Sequence, residues 1–358
     1  FREHGNGERN FASCGRAIAV HQLRRHRDGD TRDRSWNLDV NCPHQAPHAT
    51  LTMTMPDAID QTTLGFIGVG NMGMGMLTRW RSLGGQAIAF DIDPQRLVAA
   101  AAIGAQTAGS AGAVVDDLPP GALLVVCVVN GDDCREVLWG PGGVCSGNHR
   151  QLTVLLTPTL SPEDVGAFAC RLGEAGIDMI ETPMSGGPIR AAAGTMSLMV
   201  AGPKRRAWWH VLAALAHPVF DLGETVGDGA KTKLVNNLLA AVNLVGAAQV
   251  MTLAQRLQLD PVQTLSVIAQ SSGQSWIASD RLERALAGDS TTRAHMGLLA
   301  KDSRLAMEAA SQVGFEPTLG ALAQATFAEA MARGLGDADD SAMLSFVQTL
   351  ASAKGTQT

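Results

Sequence analysis

Lysine is scarce in this chain, five residues against 23 arginines, and one of the five stands where an amine could move a proton. Lys233 opens the run Lys233-Leu-Val-Asn-Asn-Leu-Leu in an apolar helical stretch, and Asn237 follows at i+4 on the same helix face. Burial strips water from an ammonium and lowers its pKa toward the range of a general acid or base. The neighbouring amide could then hold the amine or a substrate oxygen. Lys231 has Val235 at its i+4 position and lacks such a partner. A lysine that snorkels at a helix start fits the same residues.

A second constellation is Glu181-Thr-Pro-Met-Ser-Gly-Gly-Pro188, which follows an apolar strand. Ser185 with the amides of Gly186 and Gly187 could cradle a carboxylate at the carboxyl edge of a sheet, where open α/β sheets bind ligands. A plain Gly-Pro turn is the other reading. Lys301-Asp302 is a third pair, and by default it reads as a solvated charge pair.

A fourth feature names a cofactor class. Leu64-Gly-Phe-Ile-Gly-Val-Gly-Asn-Met-Gly73 is an apolar run ending in the spacing G-x-G-x-x-G at Gly68, Gly70 and Gly73. The first glycine permits a tight strand-to-helix turn, the second lets a pyrophosphate approach the backbone, and the third lets helix pack on strand. Asp91 closes the next strand, 18 residues after Gly73. A carboxylate there accepts from the adenosine ribose hydroxyls and repels a 2′-phosphate, which predicts NAD over NADP. With Asp93-Pro94 beside it, Asp91 also fits a simple turn.

These residues need a scaffold, and the apolar pattern supplies one. Strands are expected at 64–69, 86–90, 122–129, 152–156, 177–181 and 196–201. Helices are expected at 72–84, 94–102, 131–138, 161–175 and 203–215. That alternation implies βαβ units and a doubly wound parallel sheet of Rossmann type. From 230 to 257 one long apolar helix follows, then helices at 261–271, 276–287, 295–313, 317–333 and 340–352. The domains are therefore an NAD-binding α/β unit over 62–226 and an all-α C-terminal unit over 227–358, joined by the long helix. Apolar on most faces, that helix predicts burial between domains or subunits, hence a homodimer or homotetramer.

Composition excludes several classes. With 358 residues, 46% hydrophobic, 17% charged and net charge −6, the chain suits a globular, cytoplasmic protein without a basic field for nucleic acid. No apolar run looks long enough for a membrane span. Six cysteines show no C-x-x-C spacing, and no Cys/His cluster suggests a metal. Absence of tyrosine removes the Tyr-Lys proton donor of short-chain dehydrogenases. Residues 1–60, rich in Arg and His without hydrophobic periodicity, read as a disordered or non-native extension, with a start at Met53 or Met55.

Taken together, the motifs resemble the β-hydroxyacid dehydrogenase family over residues 62 to 350. Gly65-Phe-Ile-Gly-Val-Gly-Asn-Met-Gly73 matches its opening motif, including Asn71 and Met72. Glu181-Thr-Pro-Met-Ser-Gly-Gly187 matches its substrate motif D-A-P-V-S-G-G, and Gly227-Asp-Gly-Ala-Lys-Thr-Lys-Leu-Val-Asn-Asn237 its catalytic motif. The resemblance implies that Lys233 is the catalytic lysine, with Asn237 its partner. It implies that Lys301, in Lys301-Asp302-Ser-Arg-Leu-Ala306, lies near cofactor and active site. Thr159 and Asn130 fall in its cofactor loops, where Pro158 replaces a serine and Val128-Val129 replaces Leu-Pro. The expected reaction is NAD-dependent oxidation of a small β-hydroxyacid. Ser272, Gln274 and Trp276 are candidates for substrate selection. Rival readings are an imine reductase of the same fold and a non-catalytic NAD-binding protein.

Overall fold

The computed structural model describes Ile59 and residues 62–148 and 151–355. The expected N-terminal extension lies outside the described residues, Ile59 excepted. Six parallel strands form one sheet in the order β3-β2-β1-β4-β5-β6: β1 Thr63–Ile67, β2 Gln86–Phe90, β3 Gln106–Thr107, β4 Leu123–Val126, β5 Thr153–Leu156 and β6 Asp178–Glu181. Period-two alternation sorts side chains between two cores. Leu64, Phe66, Leu123 and Val125 join one face, while Ile67, Leu124 and Val126 join the other. Apolar throughout and fully buried, β4 sits at the centre because helices cover both of its faces. Strand order reverses between β1 and β4, the switch point at whose carboxyl edge such sheets bind ligands.

The expected strand at 196–201 does not extend this sheet. Ser197–Val200 (β8) lies in a separate three-stranded sheet, antiparallel to β7 (Met184–Ser185) and parallel to β9 (Val219–Asp221). An isolated bridge, Glu181–Ala201, links it to the main sheet. Besides β7 and β9, short elements without a clear pattern are β3, the helix Ala111–Asp117 capped by Ser110, and the helix Gly187–Ala193. The last hides inside a Gly-Gly-Pro sequence that reads as a turn, although Pro is well placed in a first helical turn.

From Asp228 the chain is helical to Gly355, apart from a single isolated bridge, His295–Asp339. The helix Asp228–Arg256 is the hub, packed by Trp276–Leu286, Met296–Gln312, Thr318–Ala332 and Met343–Gly355. It corrects one expectation, since by length and composition it could cross a membrane. Its charges sit only near its ends, and Asn and Gln interrupt the apolar pattern without adding charge. Ala241, Leu244, Val245, Ala248 and Met251 from this helix fill the core of the helical half.

Candidate active site

The start of the Asp228–Arg256 helix is fixed from the sheet. Glu181, at the carboxyl end of β6, is 1% exposed, and its carboxylate accepts from the backbone N–H groups of Gly227 and Ala230. An acid at a helix N-terminus satisfies orphan donors and complements the dipole. Both glycines of Gly227-Asp-Gly229 have a reason. Gly227 has φ +98°, and a Cβ at Gly229 would meet Glu181 Oε2 at 2.8 Å. Burial pushes the Glu181 pKa up, while the Gly227 and Ala230 amides pull it back.

One turn further on, Lys233 and Asn237 are each 7% exposed. The Lys233 amine makes no hydrogen bond or ion pair among the described residues. Burial pushes its pKa down to about 8, with Asp302 pulling upward and Lys301 downward. Lys231 instead lies at the surface, 3.0 Å from Asp228. Of the two roles expected of Asn237, it does not take the first, since it does not hold the amine. Its Nδ2 donates to Asp302 Oδ2 at 2.6 Å, and its Oδ1 accepts from Asn236.

Lys301 and Asp302 are not a solvated pair. Their side chains are 19% and 7% exposed and 2.8 Å apart. The contact is an ion pair by distance but is poorly aligned for a hydrogen bond, so buried Asp302 Oδ1 has no hydrogen-bond partner. Lys301 Nζ donates to the Thr159 carbonyl at 2.7 Å. Asp302 thus ties Lys301 and Asn237 together and sets the field at Lys233.

Lys301, Thr159 and Asn130 line one cavity of about 170 Å³ with Arg135, Asp164 and Arg304. Asn130 is also the cap of the helix Gly131–Trp139, its Oδ1 accepting from the Asp133 amide. A larger cavity of about 400 Å³ lies within the helical half between Val245, Val250, Leu319 and Leu322. It contains no titratable side chain and none of the candidate residues, whereas the smaller one gathers Asn130, Thr159 and Lys301; Lys233, Asn237 and Ser185 line neither.

The glycine loop fits a dinucleotide. Gly68 has φ +83°, and a Cβ at Gly73 would lie 2.0 Å from the Gly68 carbonyl oxygen. The helix Asn71–Ser82 starts at Gly70 with no side-chain cap, leaving its first amides for an anion. Met72 turns toward the core, whereas Asn71 donates weakly to the Thr292 and Arg293 carbonyls of the helical half. Asp91 accepts from the Val69 amide at 2.8 Å and the Asp93 amide at 2.9 Å. Arg96 stands 3.6 Å from Asp91, beside Gly70. Ser185 ends β7, and Gly186 (φ +129°) and Gly187 (φ +76°) turn the chain into the helix behind it.

Sequence reasoning passed over Asp302, Glu181 and Arg96 as acting groups. Asp302 and Glu181 were visible only as motif letters, because their partners lie 65 and 46 residues away. Arg96 did leave a signal, a cation five residues after Asp91.

Comparison with known proteins agrees with this layout. The model for the NAD binding domain of 6-phosphogluconate dehydrogenase matches residues 63–223. The model described as NAD-binding of NADP-dependent 3-hydroxyisobutyrate dehydrogenase matches residues 227–347. L-Threonate dehydrogenase of Cupriavidus necator is 33% identical over 78% of this chain and 94% of its own length. 2-(Hydroxymethyl)glutarate dehydrogenase of Eubacterium barkeri is 31% identical over 78% and 93%. The crystal structure of 3-hydroxyisobutyrate dehydrogenase from Salmonella typhimurium superposes with a TM-score of 0.73 at 30% identity, covering 80% of this chain and 99% of that one.

Proposed function

The chain belongs to the β-hydroxyacid dehydrogenase family of NAD(P)-binding oxidoreductases, and on that ground we propose that it reversibly oxidises a short β-hydroxyacid with NAD. The observation that carries this reading is Lys233, a buried amine with a pKa near 8 on the helix that the sheet's edge anchors.

When bound, NAD supplies the hydride acceptor for the carbinol carbon. The chain's own residues do the rest. Gly68, Gly70 and Gly73, with the backbone of Asn71 and Met72, would hold the pyrophosphate. Asp91 would accept from the ribose hydroxyls, and Asn130, Thr159 and Lys301 would complete the cofactor site. Ser185, Gly186 and Gly187 hold the substrate carboxylate. Lys233 Nζ takes the hydroxyl proton during oxidation and returns it during reduction. Asn237, steadied by Asp302, orients the substrate oxygen.

An NADH-formation screen across 3-hydroxyisobutyrate, glycerate, threonate and the diacid 2-(hydroxymethyl)glutarate tests this reading. At least one acid should turn over, faster with NAD than with NADP. Arg96, half exposed beside the buried Asp91, is the group that would pair with a 2′-phosphate, so the ratio of the two rates reads which of the pair governs. Silence across the panel would return weight to imine reduction or to a non-catalytic role, and a strong NADP preference would remove the role given to Asp91.

We also infer a homodimer or homotetramer. Val235, Leu239, Val250 and Leu253 are exposed at helical spacing along the Asp228–Arg256 helix, continued by Leu257. Sedimentation velocity should give at least twice the chain mass; a monomer at micromolar concentration would end the inference.

A further inference from the structure

Arg190 is a cation whose role none of the reactions above uses. It lies in the Gly187–Ala193 helix, directly after Ser185-Gly186. Its stem runs along that cradle: Arg190 Cδ lies 3.2 Å, and its Cβ 3.3 Å, from where a Cβ at Gly186 would sit. The guanidinium, two bonds beyond Cδ, therefore stands within a short carbon chain of the carboxylate cradle. Its carbon lies 5.8 Å from the ring centre of Trp276, which comes from the helical half and is itself 44% exposed.

A second arginine, Arg281, lies 5.7 Å from the same ring. The two are not equivalent. Arg281 is buried and satisfied, 2.5 Å from both Asp340 and Asp280. Arg190 is half-buried, and among the described residues no carboxylate pairs with it and its side-chain nitrogens make no hydrogen bond. A partly desolvated guanidinium over an aromatic ring, with its N–H edge unmatched, is a fork for a planar anion. Arginine also seeks such bidentate partners more strongly than lysine does.

We propose that Arg190 and Trp276 form a distal anion subsite, so that the preferred substrate is a β-hydroxyacid carrying a second carboxylate. The first carboxylate rests on Ser185-Gly186-Gly187, and the second pairs with Arg190 above the Trp276 ring. The proposal rests on the dehydrogenase reading and deepens it by naming the substrate class.

Calorimetric titration of the enzyme with NADH bound tests it through binding, apart from turnover. The probes are glutarate, butyrate and 4-hydroxybutyrate. Glutarate should bind the wild type about 10- to 100-fold more tightly than butyrate, the range for a charge-assisted hydrogen-bonded pair, with 4-hydroxybutyrate close to butyrate. Arg190→Ala should erase the difference, and Arg190→Lys should keep part of it. Arg190→Gln retains the stem and replaces the alanine variant should that one fail to fold. Equal binding of glutarate and butyrate by the wild type would overturn the proposal, as would an equal loss for both in the variants. A glutarate preference without oxidation of any hydroxyacid would sink the dehydrogenase reading and leave the subsite standing. Oxidation of monoacids without that preference would do the reverse.

Discussion

Lys233→Ala lowers turnover by about 10²–10⁴, the usual worth of a positioned general acid or base, while NAD affinity stays nearly unchanged. The amine is in the interior, a turn from Asn237 and near Asp302, and no other lysine lies on its helix face. Near-normal turnover in the variant would refute the assignment. The pH profile gives a second reading of the same group. Since burial sets the amine near 8, oxidation, which needs it neutral, should rise with pH and level off above about 8. Reduction needs the ammonium and should fall over the same range. A profile flat from pH 6 to 10 in both directions would separate Lys233 from proton transfer.

Lys233→Met separates catalysis from folding. A lysine whose pKa is depressed on folding is charged in both states below pH 8, so the folded state bears the full desolvation penalty there. Between about 8 and 10.5 the unfolded chain binds the extra proton, and stability rises with pH. Methionine removes the penalty, so the variant should be inactive yet more stable at neutral pH, by about 2–3 kcal/mol. Thermal unfolding at pH 7 checks the sign.

Gly73→Ala weakens NAD binding by about 10- to 100-fold and costs about 1–3 kcal/mol of stability, as overpacking of a tight site does. The new methyl would lie 2.0 Å from a backbone carbonyl that has no rotamer to change, so the turn between β1 and its helix must open. A control is Gly166→Ala, where nothing lies within 4 Å and helix propensity favours alanine by about 0.5–1 kcal/mol. Fluorescence titration with NADH and thermal melting of both variants would decide. NADH affinity in Gly73→Ala equal to wild type would show that close helix approach is not what the third glycine serves.

What was legible in the chain had a local cause. Short apolar runs placed β1, β2, β4, β5 and β6, and the helix Pro94–Ala102 was read to the residue because Pro94 marks its first turn and Asp93 caps it. Elements held by tertiary contacts were not legible. Gln106–Thr107 is exposed and pairs only along β2, and β9 exists because β8 offers it an edge. The site divides in the same way. Lys233 and Asn237 are one turn apart and could be paired on a helix, whereas the Asn237–Asp302 bond joins helices that only folding brings together. Lys301 and Asp302 misled for the same reason, since exposure cannot be read from two adjacent charges.

The Glu181 bridge also sets the position of the buried amine. The last strand of the main sheet is clamped to the base of the long helix at Gly227 and Ala230, and Lys233 stands one turn beyond that clamp. At the glycine loop the contact is weaker, with Asn71 touching the Thr292 and Arg293 carbonyls at 3.3–3.4 Å. The α/β half and the helical half are thus tied firmly at the foot of the lysine and loosely at the glycine loop.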